Sequence, residues 1–359
     1  MTDSAGLEAL ASVGADVHAS EVDDAFPPTA GVLLDRLRSL YRLDEELETV
    51  RRVIEPLAPV PMETSVSLRP GVESESRLTL GFPPHPGDPD ARSALVAALS
   101  GLGAGCVAAV DEALASLALK PRRRLARSLG IRARRYEWAR PRPGAWVGGE
   151  TAAIRSARIA KALLRLGLDR PAALHRRLAA QLAANPFNAI VPYGLAFDLG
   201  PDRVLGAKTY FACEWADVAS GFLRGRLADE LRLDGVESFE LLAASARADR
   251  RRGRWLLEVS FDLSADPSRD VRAKAYLPAA CLAPNEVEGH AVALQLAAEL
   301  GLPSLAYEQL LEAIRPDGLT TERPCSLQVG VSASAAGPSL EVYLFDPRRL
   351  PPAANDRRR

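Results

Sequence analysis

Cysteine is scarce and scattered: Cys106, Cys213, Cys281 and Cys325 share 359 residues without a CxxC pair. Such spacing argues against a structural zinc site and against a disulfide framework, and it fits thiols kept reduced in a cytoplasm. Histidine is equally sparse, and His18, His85, His175 and His290 form neither an HxxxH pair nor a grouping with Asp and Ser. Zinc hydrolysis and a hydrolytic triad therefore lack candidates. The chain has no GxGxxG or Walker loop and no DDxxD cluster of magnesium-binding carboxylates; Asp23 and Asp24 stand alone. With a formal net charge of −1 there is no global field to draw nucleic acid or an anionic membrane. Long apolar runs are missing too, since the longest, Ala94 to Leu119, is interrupted by Asp111 and Glu112, and no basic-then-apolar signal opens the chain. The expectation is a soluble, cytoplasmic protein without metal or cofactor.

What the chain does have is apolar content, 47% of residues, enough for a large core, and a repeat. Residues 194–211, GLAFDLGPDRVLGAKTYF, recur as LLEVSFDLSADPSRDVRAKAYL at 256–277. Each copy is an alternating run closing on Phe-Asp-Leu, a Gly/Pro/Asp/Ser-rich turn and a second alternating run, which predicts a β-hairpin. Similar hairpins are expected at 62–82 and 325–345, and a poorer one at 131–150 with its turn at Pro141 to Gly144. Helical spacing covers 29–56, two helices are expected within 88–127 around a Gly-rich break at 101–105, and helical pairs at 151–184, 215–250 and 287–314. Lys208 to Lys274 is 66 residues, Lys274 to Tyr343 is 69, and Arg77 to Lys208 is 131, about two periods. The period predicts five units of two helices plus a hairpin. The fold class is then α+β: about ten antiparallel strands forming a central barrel inside a ring of helices, in repeated ααββ units, which leaves no open sheet edge. Residues 1–28 and 348–359 are expected to be flexible tails of a single domain over 29–347.

Alternation decides which side chains face inward. Lys208 and Tyr210 share one face, as do Arg272, Lys274 and Tyr276, while Leu78, Leu80, Phe82, Ala273 and Leu277 are expected to meet the helices. Arg77, Lys208, Arg272 and Lys274 with Tyr210, Tyr276 and Tyr343 would converge in the lumen around a polyanion, most naturally a diphosphate. A solvated sheet face would explain any one of these residues, but not a tyrosine two positions after a cation in two hairpins. Phenol faces also stabilise a carbocation and keep water from it. Glu63, the one carboxylate on the first hairpin's inward face, could accept a hydrogen bond from an acceptor's N–H or O–H and raise its nucleophilicity. Nine arginines between Arg122 and Arg142 offer a competing reading as an RNA-binding stretch; an Arg-rich helix end on a solvated face explains them more simply.

These residues resemble the aromatic prenyltransferases of the dimethylallyltryptophan synthase type, whose ααββ barrel is called the ABBA or PT barrel, and the compact bacterial members in particular. The likeness runs from about Val60 to Pro347. It rests on Pro61-Met-Glu63-Thr-Ser65, on Arg77, on Leu195–Leu199 followed by Lys208-Thr-Tyr210, on Arg272, Lys274 and Tyr276, and on Tyr343. It implies a metal-independent transfer of a dimethylallyl or related prenyl group from an allylic diphosphate to an electron-rich ring, with Glu63 binding an indole N–H as the catalytic carboxylate and the cations and tyrosines holding the diphosphate. The implied acceptor is tryptophan or a tryptophan-containing compound, with a phenolic or peptide acceptor as the alternative. The implied partners are small molecules alone, with neither nucleic acid nor membrane, for a monomer or homodimer. Two departures stand out. Some members acting on free tryptophan carry Lys just before the Leu-Ala-x-Asp-Leu strand, where this chain has Gly194, and the fungal members place the Lys-x-Tyr hairpin second, whereas the period here makes it third.

Overall fold

The computed structural model describes residues 60–71, 75–82, 100, 106–115, 127–132, 135–138, 152–183, 190–200, 202–214, 256–269, 271–278, 283–325, 327–334 and 337–345. The helices expected at 29–56 and 215–250, the break at 101–105 and both tails lie outside them.

Ten strands run in chain order: β1 (Val60–Leu68), β2 (Glu75–Phe82), β3 (Arg127–Arg132), β4 (Arg135–Trp138), β5 (Val191–Leu199), β6 (Val204–Glu214), β7 (Leu256–Ser264), β8 (Arg272–Pro278), β9 (Leu327–Ser334) and β10 (Gly337–Phe345). Each pairs antiparallel with its neighbours in sequence, and β1 pairs with β10, which closes the sheet. The Lys-x-Tyr hairpin β5–β6 is third in the chain, as the period requires.

One expected hairpin is displaced. The strands placed at 131–150 lie at Arg127–Arg132 and Arg135–Trp138, with Leu129 opposite Trp138 and Arg132 opposite Arg135. Alternation in Ser-Leu-Gly-Ile-Arg and Arg-Tyr-Glu-Trp overrides the Pro-Gly turn signal further on, since the ladder needs N–H donors that proline lacks. The same observation corrects the reading of Arg127, Arg132 and Arg135 as part of a helix end: all three stand in barrel strands.

Outside the sheet are α1 (Val107–Ala115), α2 (Ala152–Arg165), α3 (Asp169–Ala183), α4 (Glu286–Glu299) and α5 (Leu305–Ile314). α2 rests on β5, α3 on β5, β6 and β7, α4 on β9 and β10, and α5 on β1. The α2–α3 and α4–α5 pairs end their first helix alike: Gly167 (φ 67°) and Gly301 (φ 66°) take the left-handed conformation, and the N–H of the next residue returns to the carbonyls of Leu163 (3.0 Å) and Ala297 (2.8 Å). That six-to-one bond satisfies carbonyls a helix end would otherwise leave bare. Asn285 caps α4 by accepting from the Glu288 N–H at 3.0 Å while donating to the Glu288 carboxylate at 2.9 Å.

The apolar core lies between sheet and helices. Val66, Leu68, Leu195, Phe197, Phe211, Phe261, Ala273, Val329, Val331, Leu340 and Val342 are buried on the strands, against Ile159, Leu163, Leu178 and Tyr307 on the helices. The alternate positions are buried as well: Ser65 is 2% exposed, Ser67 5%, Tyr210 6%, Tyr276 4% and Tyr343 3%. Polar side chains this dry feel one another's charges more strongly than they would at a surface.

Two local features set the barrel's shape near the inner face. The β1–β2 ladder slips between Pro61 and Glu63, and the β5–β6 ladder between Pro192 and Gly194; in both, a proline without an N–H precedes the bulge. From α3, Arg170 reaches the β7–β8 turn. Its Nη1 donates to the carbonyls of Ser264 (2.6 Å) and Asp266 (2.9 Å) and its Nη2 to that of Arg269 (2.8 Å).

Candidate active site

The site is built on the inner positions of β6 to β10, where alternation places every second side chain inward. Lys274 on β8 is its centre. Its Nζ donates to the Tyr343 hydroxyl at 3.0 Å and forms an ion pair with Glu341, and it lies 5.3 Å from the ring centroid of Tyr276 and 5.4 Å from that of Tyr343. The two rings are 5.6 Å apart and tilted by 53°. An ammonium between two phenol faces gains from both quadrupoles, and more so out of water. Tyr343 also donates its hydroxyl proton to Glu341.

Room for this cluster comes from a missing side chain. A Cβ on Gly330 of β9 would stand 2.8 Å from Lys274 Cε and 3.1 Å from Tyr276 Cδ1. Glycine lets the lysine stem cross β9, so that β8 and β10 meet over a bare stretch of backbone.

The second lysine lies on the neighbouring hairpin. Lys208 Nζ is 3.2 Å from Asp262 Oδ1 on β7, and the aspartate side chain is 46% exposed whereas the lysine's is 10% exposed. Ser260 links the two hairpins: it is opposite Tyr210 on one side and Lys274 on the other, and its hydroxyl donates to the Tyr276 hydroxyl at 3.2 Å. Arg272, opposite Asp262 in register, is exposed. Beside Tyr210, a Cβ on Gly194 would come within 3.1 Å of the ring atom Cδ2, so the backbone at 194 lies flat against that phenol.

The remaining expected residues are placed by register. Glu63 is opposite Thr79 and Phe345; Arg77 is opposite Ser65 and Arg132. The row through Tyr343 and Ser65 thus continues to Arg77, Arg132 and Arg135. Of the eight expected site residues, Lys274, Tyr276 and Tyr343 touch one another, Lys208 and Tyr210 join them through β7, Arg272 sits at the wetter margin, and Glu63 and Arg77 occupy the first hairpin.

Four contributors escaped the sequence reading: Glu341, Asp262, Ser260 and Gly330. Parity alone could have found Glu341, two residues before Tyr343, and Asp262 is the Asp of the repeated Phe-Asp-Leu. Their pairing with particular lysines could not be read, because it depends on strands that meet only in the barrel.

Behind β6, on the helix side, His175 of α3 stacks on Phe211 with centroids 5.8 Å apart and shares a hydrogen bond of 3.2 Å with the Ser156 hydroxyl. Burial disfavours its charged form and lowers its pKa from 6.5 to about 4. Also outside the lumen, the buried pair Arg315 and Glu286 (2.9 Å), with Arg323 Nη1 3.7 Å from the same carboxylate, ties the end of α5 to the start of α4. Among the described residues no helix is long and apolar enough to cross a membrane, and no group of three or more His, Cys, Asp or Glu side chains is placed to hold a metal ion.

The chain matches no protein-family model and no curated protein by sequence. By structure it is similar to the 6-dimethylallyltryptophan synthase from Micromonospora olivasterospora in complex with DMASPP and Trp: TM-score 0.65, 18% identity, 90% of this chain and 97% of that one covered. The 5-dimethylallyltryptophan synthase from Streptomyces coelicolor gives a TM-score of 0.61 at 18% identity, covering 89% and 97%. AnaPT from Neosartorya fischeri gives 0.62 at 18% identity, covering 88% and 92%. With nearly the whole of each chain superposed, this protein has the fold of the dimethylallyltryptophan synthases.

Proposed function

We propose that the protein is an aromatic prenyltransferase that moves a dimethylallyl or related prenyl group from an allylic diphosphate to an electron-rich ring, most simply the indole of tryptophan or of a tryptophan-containing compound. The observation that carries this reading is Lys274, held in a dry lumen between Tyr276 and Tyr343. The shared fold adds weight, since the Micromonospora structure is a complex with DMASPP and Trp. The domain is one barrel over about 29–347.

Lys208, Lys274, Arg272 and Arg77 offset the diphosphate charge, and Tyr210, Tyr276 and Tyr343 donate hydroxyl hydrogen bonds to it. As the allylic C–O bond breaks, its electron pair leaves with the diphosphate and an allyl cation remains. The same cations stabilise the departing group, which is how the site favours the transition state over the bound substrate. Phenol faces flank the cation and exclude water, the competing nucleophile. Glu63 accepts a hydrogen bond from the acceptor's N–H, raising the electron density of the ring that attacks; a C–C bond forms and the ring then loses its proton. The reaction proceeds without a metal, because the lumen's own cations do what magnesium would otherwise do. Gly194 lies flat beside Tyr210, where a Cβ would crowd the ring, so the phenol of Tyr210 keeps its place only while that position stays bare.

Incubating the purified protein with dimethylallyl diphosphate and tryptophan in the presence of EDTA, followed by mass spectrometry, tests the reading. An adduct heavier by one prenyl group supports it, including its metal independence. If no adduct forms with tryptophan, indole peptides, phenols or a geranyl donor, the assignment fails.

A further inference from the structure

One hydroxyl on the inner face takes no direct part in the proposed chemistry. Ser260 stands on β7 between Tyr210 of β6 and Lys274 of β8, and is 1% exposed. Its hydroxyl donates to that of Tyr276 at 3.2 Å. At that burial bulk water cannot replace the bond, so the serine proton is committed to the phenol oxygen. The bond also tethers the far end of a ring whose face receives the Lys274 ammonium, 5.3 Å from its centroid.

A hydroxyl both donates and accepts, and two of them in contact take their direction from what stands beyond the pair. An ionised diphosphate oxygen offers only lone pairs. It is met by the Tyr276 proton and not by the Tyr276 oxygen, so with the ligand in place the chain of bonds runs one way, from Ser260 to Tyr276 to the anion. Whatever else touches Tyr276, the serine proton fills one lone pair of the phenol oxygen and the phenol's own proton is turned away from Ser260. A donor that itself accepts is polarised by that bond and donates more strongly, the more so out of water.

We propose that Ser260 is a positioning residue of the transfer site: without touching the substrate, it holds the Tyr276 phenol as a donor toward the diphosphate and strengthens that donor as negative charge gathers on the departing group. This rests on the diphosphate reading of the site. Only hydrogen bonds are involved, and the serine gives up no proton.

A double-mutant cycle on the full chain tests this, read by calorimetric titration with dimethylallyl thiolodiphosphate. Ser260→Ala should weaken binding ~3–10-fold, and Tyr276→Phe, which deletes the phenol hydroxyl, ~10-fold or more. In the double variant the loss should match that of Tyr276→Phe alone within about twofold, because without the phenol hydroxyl the serine has nothing to act through. A serine that only packs would cost the same in both backgrounds. Full affinity in Ser260→Ala, or an equal loss with and without the Tyr276 hydroxyl, overturns the proposal and leaves the diphosphate reading intact. Absence of binding by the parent protein overturns that reading, and this inference with it. Should Ser260→Ala fail to fold, Ser260→Cys keeps the shape and weakens the donor. It should bind less tightly only where the Tyr276 hydroxyl is present, and affinity equal to the parent's, or the same loss in both backgrounds, overturns the proposal.

Discussion

The two walls of the lumen carry the same motif in different surroundings. On β8, Lys274 faces a carboxylate as dry as itself, at 12% and 10% side-chain exposure; on β6, Lys208 faces Asp262, which is 46% exposed. Repetition in sequence supplies the same lysine twice, and burial gives the two different work. A dry pair is costly to break because the remaining charge is stranded, whereas a half-wet pair lets water replace the missing partner. On the proposed reading, the Lys274 wall is the fixed centre of the site and the Lys208 wall its wetter margin.

Lys274→Met should have the largest effect. It removes the ammonium that Glu341 pairs with in the buried cluster, and urea unfolding should show a loss of about 3–5 kcal/mol, with transfer reduced ~100-fold or more. Adding Glu341→Gln should restore most of the stability and none of the transfer. A single variant as stable as the parent would break the contrast.

The Lys208 wall has a weakness of its own, from behind. His175 supports Phe211 in neutral form, and its pKa falls from 6.5 to about 4 on folding. Below pH 6.5 the unfolded chain takes up the proton and the folded one does not, so stability is complete above 6.5 and declines toward pH 4, by on the order of 3 kcal/mol. In His175→Gln that part of the acid sensitivity should be absent from unfolding curves recorded between pH 4 and 7.

Gly330→Ala sharpens the comparison from the other wall. A methyl 2.8 Å from Lys274 Cε must push the flexible lysine stem aside, and displaced by that much the ammonium should serve transfer at least ~10-fold less well. Steady-state kinetics that matched the parent would show that the lysine's position tolerates the shift. Smaller still is Lys208→Met, expected to cost about 1 kcal/mol in unfolding, because the Asp262 side chain keeps 46% of its surface exposed although the Oδ1 that meets Lys208 is buried. Least affected should be Arg272→Ala, within ~0.5 kcal/mol of the parent in stability, its effect confined to weaker and less salt-dependent thiolodiphosphate binding.

How much of this was legible depended on distance along the chain. Alternation within one hairpin placed Lys208 beside Tyr210 and Lys274 beside Tyr276 on one face, and the spacing of the repeats put β5–β6 third. Both are local or periodic signals. The displaced third and fourth strands show the limit, where a Pro-Gly turn signal outweighed a short alternating run. The partners of the lysines were beyond reach for another reason. Glu341 meets Lys274 only because β9 lies between them with glycine at 330, and no pattern within β8 or β10 carries that. His175 reads as one polar residue on an amphipathic helix until Phe211 is found beneath it.

Closure of the sheet has a consequence for how the protein comes to be made. β1 pairs with β10, the first described strand with the last, so during synthesis both edges stay open until β10 has emerged. Pairing so distant in sequence is slow, and open edges invite other chains. The strand that ends this exposure is also the one that delivers Glu341 and Tyr343 to Lys274. A nascent chain therefore completes its site and loses its sticky edges in one event, and a chain stopped short of residue 337 would have neither a finished site nor a sealed barrel.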